Sequence, residues 1–185
     1  MTDLVLTLIG PDRPGLVESL AKRVAAYGGN WLESRMAHLA GQFAGILRVE
    51  VAAESIPALE AALAELEAEG LRVVARGGFK SADTDRQAME LQLVGQDHPG
   101  IVRDVAQILL QHGVNVEELT TDHVSAPMSG GQLFSARARL HVPAGTDTEH
   151  LRRDLEKIAD DLMVDLTLAQ AVIGSRPSRR LGRPE

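Results

Sequence analysis

Asp12 and Asp97 stand in the same setting twice, as Gly10-Pro11-Asp12-Arg13-Pro14-Gly15 and as Gly95-Gln96-Asp97-His98-Pro99-Gly100. Each copy follows an apolar run (Leu4 to Ile9, Leu91 to Val94) and opens a segment patterned as a helix. The first backbone N–H groups of a helix lack internal partners and lie at its positive end, so a carboxylate or phosphate placed there needs no cationic side chain. The aspartate can accept from backbone N–H groups as a turn cap, or bind an ammonium group. Asn30 and Asn115, just beyond each helix, offer a donor and an acceptor together. Acid, amide and helix N-terminus suit a zwitterion such as a free amino acid. Tight turns select Gly, Pro, Asp and Asn for conformation alone, so the purely structural reading stands beside the ligand reading.

Other chemistry finds less support. No His-x-x-x-His or acidic cluster has metal-ligand spacing, so no metal is expected and the histidines read as solvated or turn residues, His98 excepted. His38 and His123 share the repeat offset; His112, His141 and His150 have no counterpart. Ser19 and Ser34 lack a nucleophile-elbow setting, and the adjacent acids Glu117-Glu118 and Asp160-Asp161 point apart on regular structure, so no catalytic residue and no cofactor are expected. Arg176, Arg179, Arg180 and Arg183 in the tail are unaccompanied by a DNA-reading motif.

The offset between the copies is 85, and it also carries Ala21 onto Ala106, Gly28 onto Gly113, Asn30 onto Asn115, Glu33 onto Glu118 and His38 onto His123. One module is duplicated within 185 residues. A hydrophobic content of 44% with 24% charged residues is that of a soluble globular protein, and no apolar run reaches the roughly 20 residues of a membrane span. No signal peptide is visible, and the absence of cysteine removes disulfides, thiolate zinc sites and a catalytic thiol. These features fit a cytoplasmic protein. A net charge of −7 argues against nucleic acid as an electrostatic partner.

The turns are positioned by a repeated β-α-β-β-α-β order. Residues 3–9 alternate as a strand, residues 10–15 turn, and Leu16, Leu20, Val24 and Tyr27 form a helical stripe that Gly28-Gly29 ends. Pro14 suits the helix's first turn. Asn30 to Leu39 and a strand through Phe43, Leu47, Val49 and Val51 follow, joined by a turn at Gly41-Gln42. Ser55 and Pro57 open a helix with the stripe Leu59, Leu63 and Leu66, and Leu71 to Ala75 closes the module. The second module runs from Met89–Val94 through a helix over Pro99 to His112, strands at Val114–Val124 and Phe134–Val142, and a helix capped by Asp147 or Thr148 with the stripe Leu151, Leu155 and Ile158, and Met163 to Val172 closes it. The loop at Pro127 to Gly131 is longer than its counterpart. The expected domains are 1–76 and 88–173, with a linker over 77–87 and a disordered basic tail over 174–185. Each unit is α+β and ferredoxin-like, a four-stranded antiparallel sheet with two helices on one face. Units this small gain by packing against one another, within the chain or in a homodimer.

A Gly-x-Asp-x-Pro-Gly turn between the first strand and first helix of a βαββαβ unit resembles the ACT domain, the amino-acid-sensing module of many regulated metabolic proteins. Two such units without a catalytic or DNA-binding domain are similar to the glycine cleavage system transcriptional repressor family. The resemblance covers about residues 3–76 and 88–173. It implies a ligand where the strand 1–helix 1 turn meets a neighbouring unit, and so implicates Gly10, Asp12, Pro14, Gly15 and Asn30, and Gly95, Asp97, His98, Pro99, Gly100 and Asn115. It implies a partner too, a LysR-type transcriptional activator, with glycine relieving the restraint on glycine cleavage genes. A structural interaction module without a small ligand, and a separate regulatory subunit of a biosynthetic enzyme, are the alternatives.

Overall fold

The computed structural model describes residues 1–78, 86–125 and 132–171. The chain falls into two units, Met1–Ser81 and Ala82–Glu185. The first holds β1 (Thr2–Pro11), α1 (Leu16–Ala26), β2 (Asn30–Leu39), β3 (Gln42–Val51), α2 (Ile56–Ala64) and β4 (Arg72–Gly77). The second holds β5 (Arg86–Gln96), α3 (Ile101–Gln111), β6 (Asn115–Ser125), β7 (Gln132–Pro143), α4 (Thr148–Leu162) and β8 (Val164–Gln170). The sheets are antiparallel with orders β2-β3-β1-β4 and β6-β7-β5-β8, the ferredoxin-like arrangement expected. Strand β4 reaches Gly77 and β5 starts at Arg86, so regular structure extends into both ends of the expected linker. The linker's middle, the loop at Pro127 to Gly131 and the tail from 174 lie outside the described residues.

Alternation explains each core. Leu4, Leu6 and Leu8 of β1 and Leu47, Val49 and Val51 of β3 point inward, where Leu16, Leu20 and Val24 of α1 and Leu59 and Leu63 of α2 cover them. In the second unit Met89, Leu91, Leu93, Ala138, Leu140 and Val142 meet Ile101, Val105 and Leu109 of α3 and Leu151, Leu155 and Ala159 of α4. Ile158, expected on the α4 stripe, is half-buried, and Ala159 takes the inward position.

Several local expectations shift. Strand β1 runs through Gly10 to Pro11, which pairs with Gln42, although proline suggested an earlier end. Successive strand N–H groups alternate sides, and the Asp12 N–H goes to Gly41 O on the β3 side at 2.9 Å. The N–H that Pro11 lacks would face β4, whose pairing with β1 has already ended at Ile9↔Arg72. Helix α1 begins at Leu16 behind Gly15 at φ 91, so Pro14 belongs to the turn and not to the helix. The β2–β3 hairpin turns on Ala40-Gly41, at φ 49 and φ 78, one residue earlier than the expected Gly41-Gln42. Ser55 holds the N-cap position of α2 without a side-chain cap bond, because a 3₁₀ turn over Ala53–Ser55 already gives it helical dihedrals. Asp147 caps α4, accepting from the Glu149 and His150 N–H groups at 3.1 and 3.0 Å.

Candidate functional site

Gly10 and Gly95 occupy matching positions for one physical reason. A Cβ on Gly10 would stand 2.3 Å from Gly70 O, and one on Gly95 would stand 2.4 Å from Val164 Cγ1. The sheet's inner strand can lie against the start of the last strand only where no side chain intervenes. Gly15 and Gly100 serve differently, at φ 91 and 107, turning the backbone into α1 and α3 through the left-handed region. Neither supplies a side-chain cap to its helix. Among the described residues no side chain caps the first helical amides, the condition for an anion site.

The aspartates do not cap these helices. Asp12 Oδ2 faces His38 Nε2 at 3.7 Å and Asp97 Oδ2 faces His123 Nδ1 at 3.5 Å, from the turn across to β2 and β6. His38 and His123 pair in register with Phe43 and Phe134, and His123 meets Phe134 edge-on with centroids 6.0 Å apart. These histidines belong with the turn while remaining more than half exposed, in keeping with the solvated or turn reading; their shared offset of 85 from one another was the signal available in the sequence. The other histidines are paired as well. His112 bonds Asp154 at 2.8 Å with its side chain only 13% exposed, His150 approaches the same carboxylate at 3.4 Å, and His141 contacts Glu117 at 3.0 Å. The bond from His112, with the nearby charges, holds the Asp154 carboxyl below its ordinary range. Among the described residues no group of three or more His, Asp or Glu side chains is disposed to hold a metal ion.

Asn30 and Asn115 are not beside the turns of their own units. Asn30 pairs with Glu50 and Asn115 with His141, whereas the turns adjoin Gln42 and Leu133. Glu50 lies eight residue steps along β3 from Gln42, about 26 Å at strand rise. Helix α1 and the turn after it carry the chain back along the sheet, so β2 begins away from the β1–α1 turn. The amide expected to join the acid and the helix N-terminus therefore lies away from both within each unit, while Asp12 stays beside the start of α1.

Position 13, which is Arg13 in one unit and His98 in the other, performs one task in both. Arg13 Nη2 donates to Glu69 O in the segment between α2 and β4, and His98 Nε2 lies 3.0 Å from Leu162 O at the end of α4, so each ties the turn to the approach of its unit's last strand. The turns nonetheless differ. A shallow hollow of about 510 Å³ opens beside the first, lined by Asp12, Arg13, Gly15, Leu16, Val17, Glu18, Ala21 and Phe43. Beside the second, Arg103 and Asp104 flank Gly100, within 3.2 and 3.4 Å of where its Cβ would be. Their ion pair, 2.6 Å long, holds the Asp104 carboxyl below its usual range.

Comparison with known proteins agrees with the fold. Residues 2–74 match the model of the ACT domain. The glycine cleavage system transcriptional repressor of Escherichia coli (strain K12) is 24% identical over 163 residues, 86% of this chain and 85% of that protein. A crystal structure of a protein of unknown function from Galdieria sulphuraria superimposes with a TM-score of 0.80 at 30% identity, covering 92% of this chain and 99% of the other. A second, provisionally assigned as a glycine cleavage system transcriptional repressor, gives 0.65 at 20% identity over 90% and 95%. With the fold occurring twice and the repeated turn in place in each copy, the chain is a tandem ACT-domain protein that resembles the glycine cleavage system transcriptional repressors.

Proposed function

We infer that this protein is a non-enzymatic regulator that senses a free amino acid at the β1–α1 turn. It modulates transcription of glycine cleavage genes by engaging a LysR-type activator rather than DNA. The observation that carries the sensing is the open hollow at the first turn, where the Asp12 carboxylate stands beside helix amides that no side chain caps. An α-ammonium group pairs with Asp12 and an α-carboxylate with the N–H groups following Gly15, framed by Gly10 and Pro14. The relatives' name, glycine cleavage system transcriptional repressor, supports glycine as the first candidate ligand and transcription as the output. The corresponding turn at Gly95, Asp97, His98, Pro99 and Gly100 is a weaker receptor, because the Arg103–Asp104 pair flanks it. Asn30 and Asn115 have no part in a site built from one unit. A ligand shifts the regulator between states only by the difference in its affinity for them.

Thermal unfolding against a panel of free amino acids, glycine and serine included, tests the reading. A ligand that binds only the folded state at a hundred times its Kd adds about 2.7 kcal/mol. One amino acid is expected to raise the midpoint, with the rise lost in Asp12→Ala and kept in Asp97→Ala. A panel without any shift ends the sensing hypothesis in that concentration range.

A further inference from the structure

The repeat allows the helix-covered faces of the two sheets to be compared position by position. Trp31 pairs with the buried Val49, and Val116 pairs with the equally buried Leu140, so both point toward the helices. The same register matches Met36 with Thr121 and, one strand over, Leu47 with Ala138. In the first unit Trp31 and Met36 pack against the core, and a Cβ on Gly45 would stand 2.6 Å from Met36 Cγ. In the second unit these large side chains have become Val, Thr and Ala. Ser34, Gly45 and Val49 give way to the larger Leu119, Ala136 and Leu140, but Trp31 alone exceeds Val116 by more than those gains together. The second unit has less side chain to fill the same fold.

Interiors are close-packed, so a deficit of this kind leaves space. A hollow of about 50 Å³ lies between α3 and β6, with Val102, Val105 and Leu109 of α3, Val116 and Leu119 of β6 and Ala138 of β7 among its walls. Among the described residues every side chain that lines it is hydrocarbon. Val102, Val116 and Leu119 are 44%, 37% and 49% exposed and form its mouth. A hollow without polar partners gives water nothing to bond and takes apolar molecules instead. A charged group entering it loses its hydration without compensation.

The first unit defines what fits. The position that Val116 holds beside α3 is the one that the Trp31 indole holds beside α1, so the missing group is a flat ring. We propose that the cleft between α3 and β6 binds a small neutral aromatic molecule, its ring standing in for the Trp31 side chain. A sealed cavity that holds benzene measures about 150 Å³. This hollow is smaller but open, so it encloses one edge of the ring while the other lies at the mouth against Val102 and Leu119. The proposal is independent of amino-acid sensing, because such a molecule has neither the ammonium nor the carboxylate group that the Asp12 turn would engage.

Indole is the probe, being the side chain that the second unit lacks. Titrated at millimolar concentration into the full-length protein carrying isotope-labelled methyl groups, it is expected to shift the resonances of Val102, Val105, Leu109, Val116 and Leu119 along one saturation curve. Val116→Trp restores the first unit's residue and Leu119→Asp charges the mouth. Both positions are exposed, and each change is expected to weaken binding about tenfold or more. Thr167→Ala, on the opposite face of the second sheet, leaves binding unchanged. Benzoate, a ring that carries a charge, is expected to bind about tenfold more weakly than indole. No binding up to the solubility of indole, shifts centred elsewhere, an affinity that neither variant alters, or benzoate bound as well as indole overturns the proposal. So does a dimer in sedimentation velocity that Leu119→Asp dissociates, because a second copy then fills the cleft.

Discussion

At the residue scale the repeated glycines divide into two kinds, and the division predicts how each fails. Gly10 lies in regular strand, so Gly10→Ala suffers from the approach of Gly70 O and not from its own dihedrals. We expect it to cost about 1–3 kcal/mol, as overpacking does, read as a lower denaturant midpoint with an unchanged slope. Titration gives a second residue-scale prediction. Asp154 and Asp147 are both held below the usual carboxylate range, the first chiefly by the bond from His112 and the second chiefly by the His150 backbone N–H. A carboxyl depressed in the folded state contributes stability that is present above its unfolded pKa, roughly 4, and lost as pH falls through the folded value. Melting temperature should therefore fall below about pH 4, and Asp154→Asn should flatten that fall. Equal acid sensitivity in the variant would remove Asp154 from the account.

At the element scale the β2–β3 hairpin carries a local cost. Ala40 and Gly41 both have positive φ, the form whose twist matches flanking strands, and alanine is poorly suited to it. Ala40→Asn should stabilise the protein by about 0.5–1 kcal/mol, measured by chemical denaturation. A loss of stability instead would mean that the turn does not hold this conformation in solution. Since the Asp12 N–H bonds Gly41 O, this hairpin also steadies the proposed ligand turn. Helices α1 and α3, whose N-caps are glycine, show the complementary case: there a missing cap is what leaves amides free for a ligand.

At the scale of the molecule, duplication made the fold legible. The inward stripes Leu16, Leu20, Val24 and Leu59, Leu63, Leu66, and the alternation through Phe134 to Val142, could be read from periods of 3.6 and 2 because burial imposes them. A fixed offset then gave both units one element order. The sequence by itself determined the βαββαβ repeat, the glycines at each turn and the equivalence of His38 with His123, since each follows from local sterics or from counting. Only the tertiary structure decided what the turns contain. Asn30 follows α1 in sequence, but the helix and its turn carry it away from Asp12; His38 is distant in sequence, but strand pairing returns it to Asp12. Proximity to the site depends on register and on where each crossover ends, and neither quantity is carried by residue type or spacing.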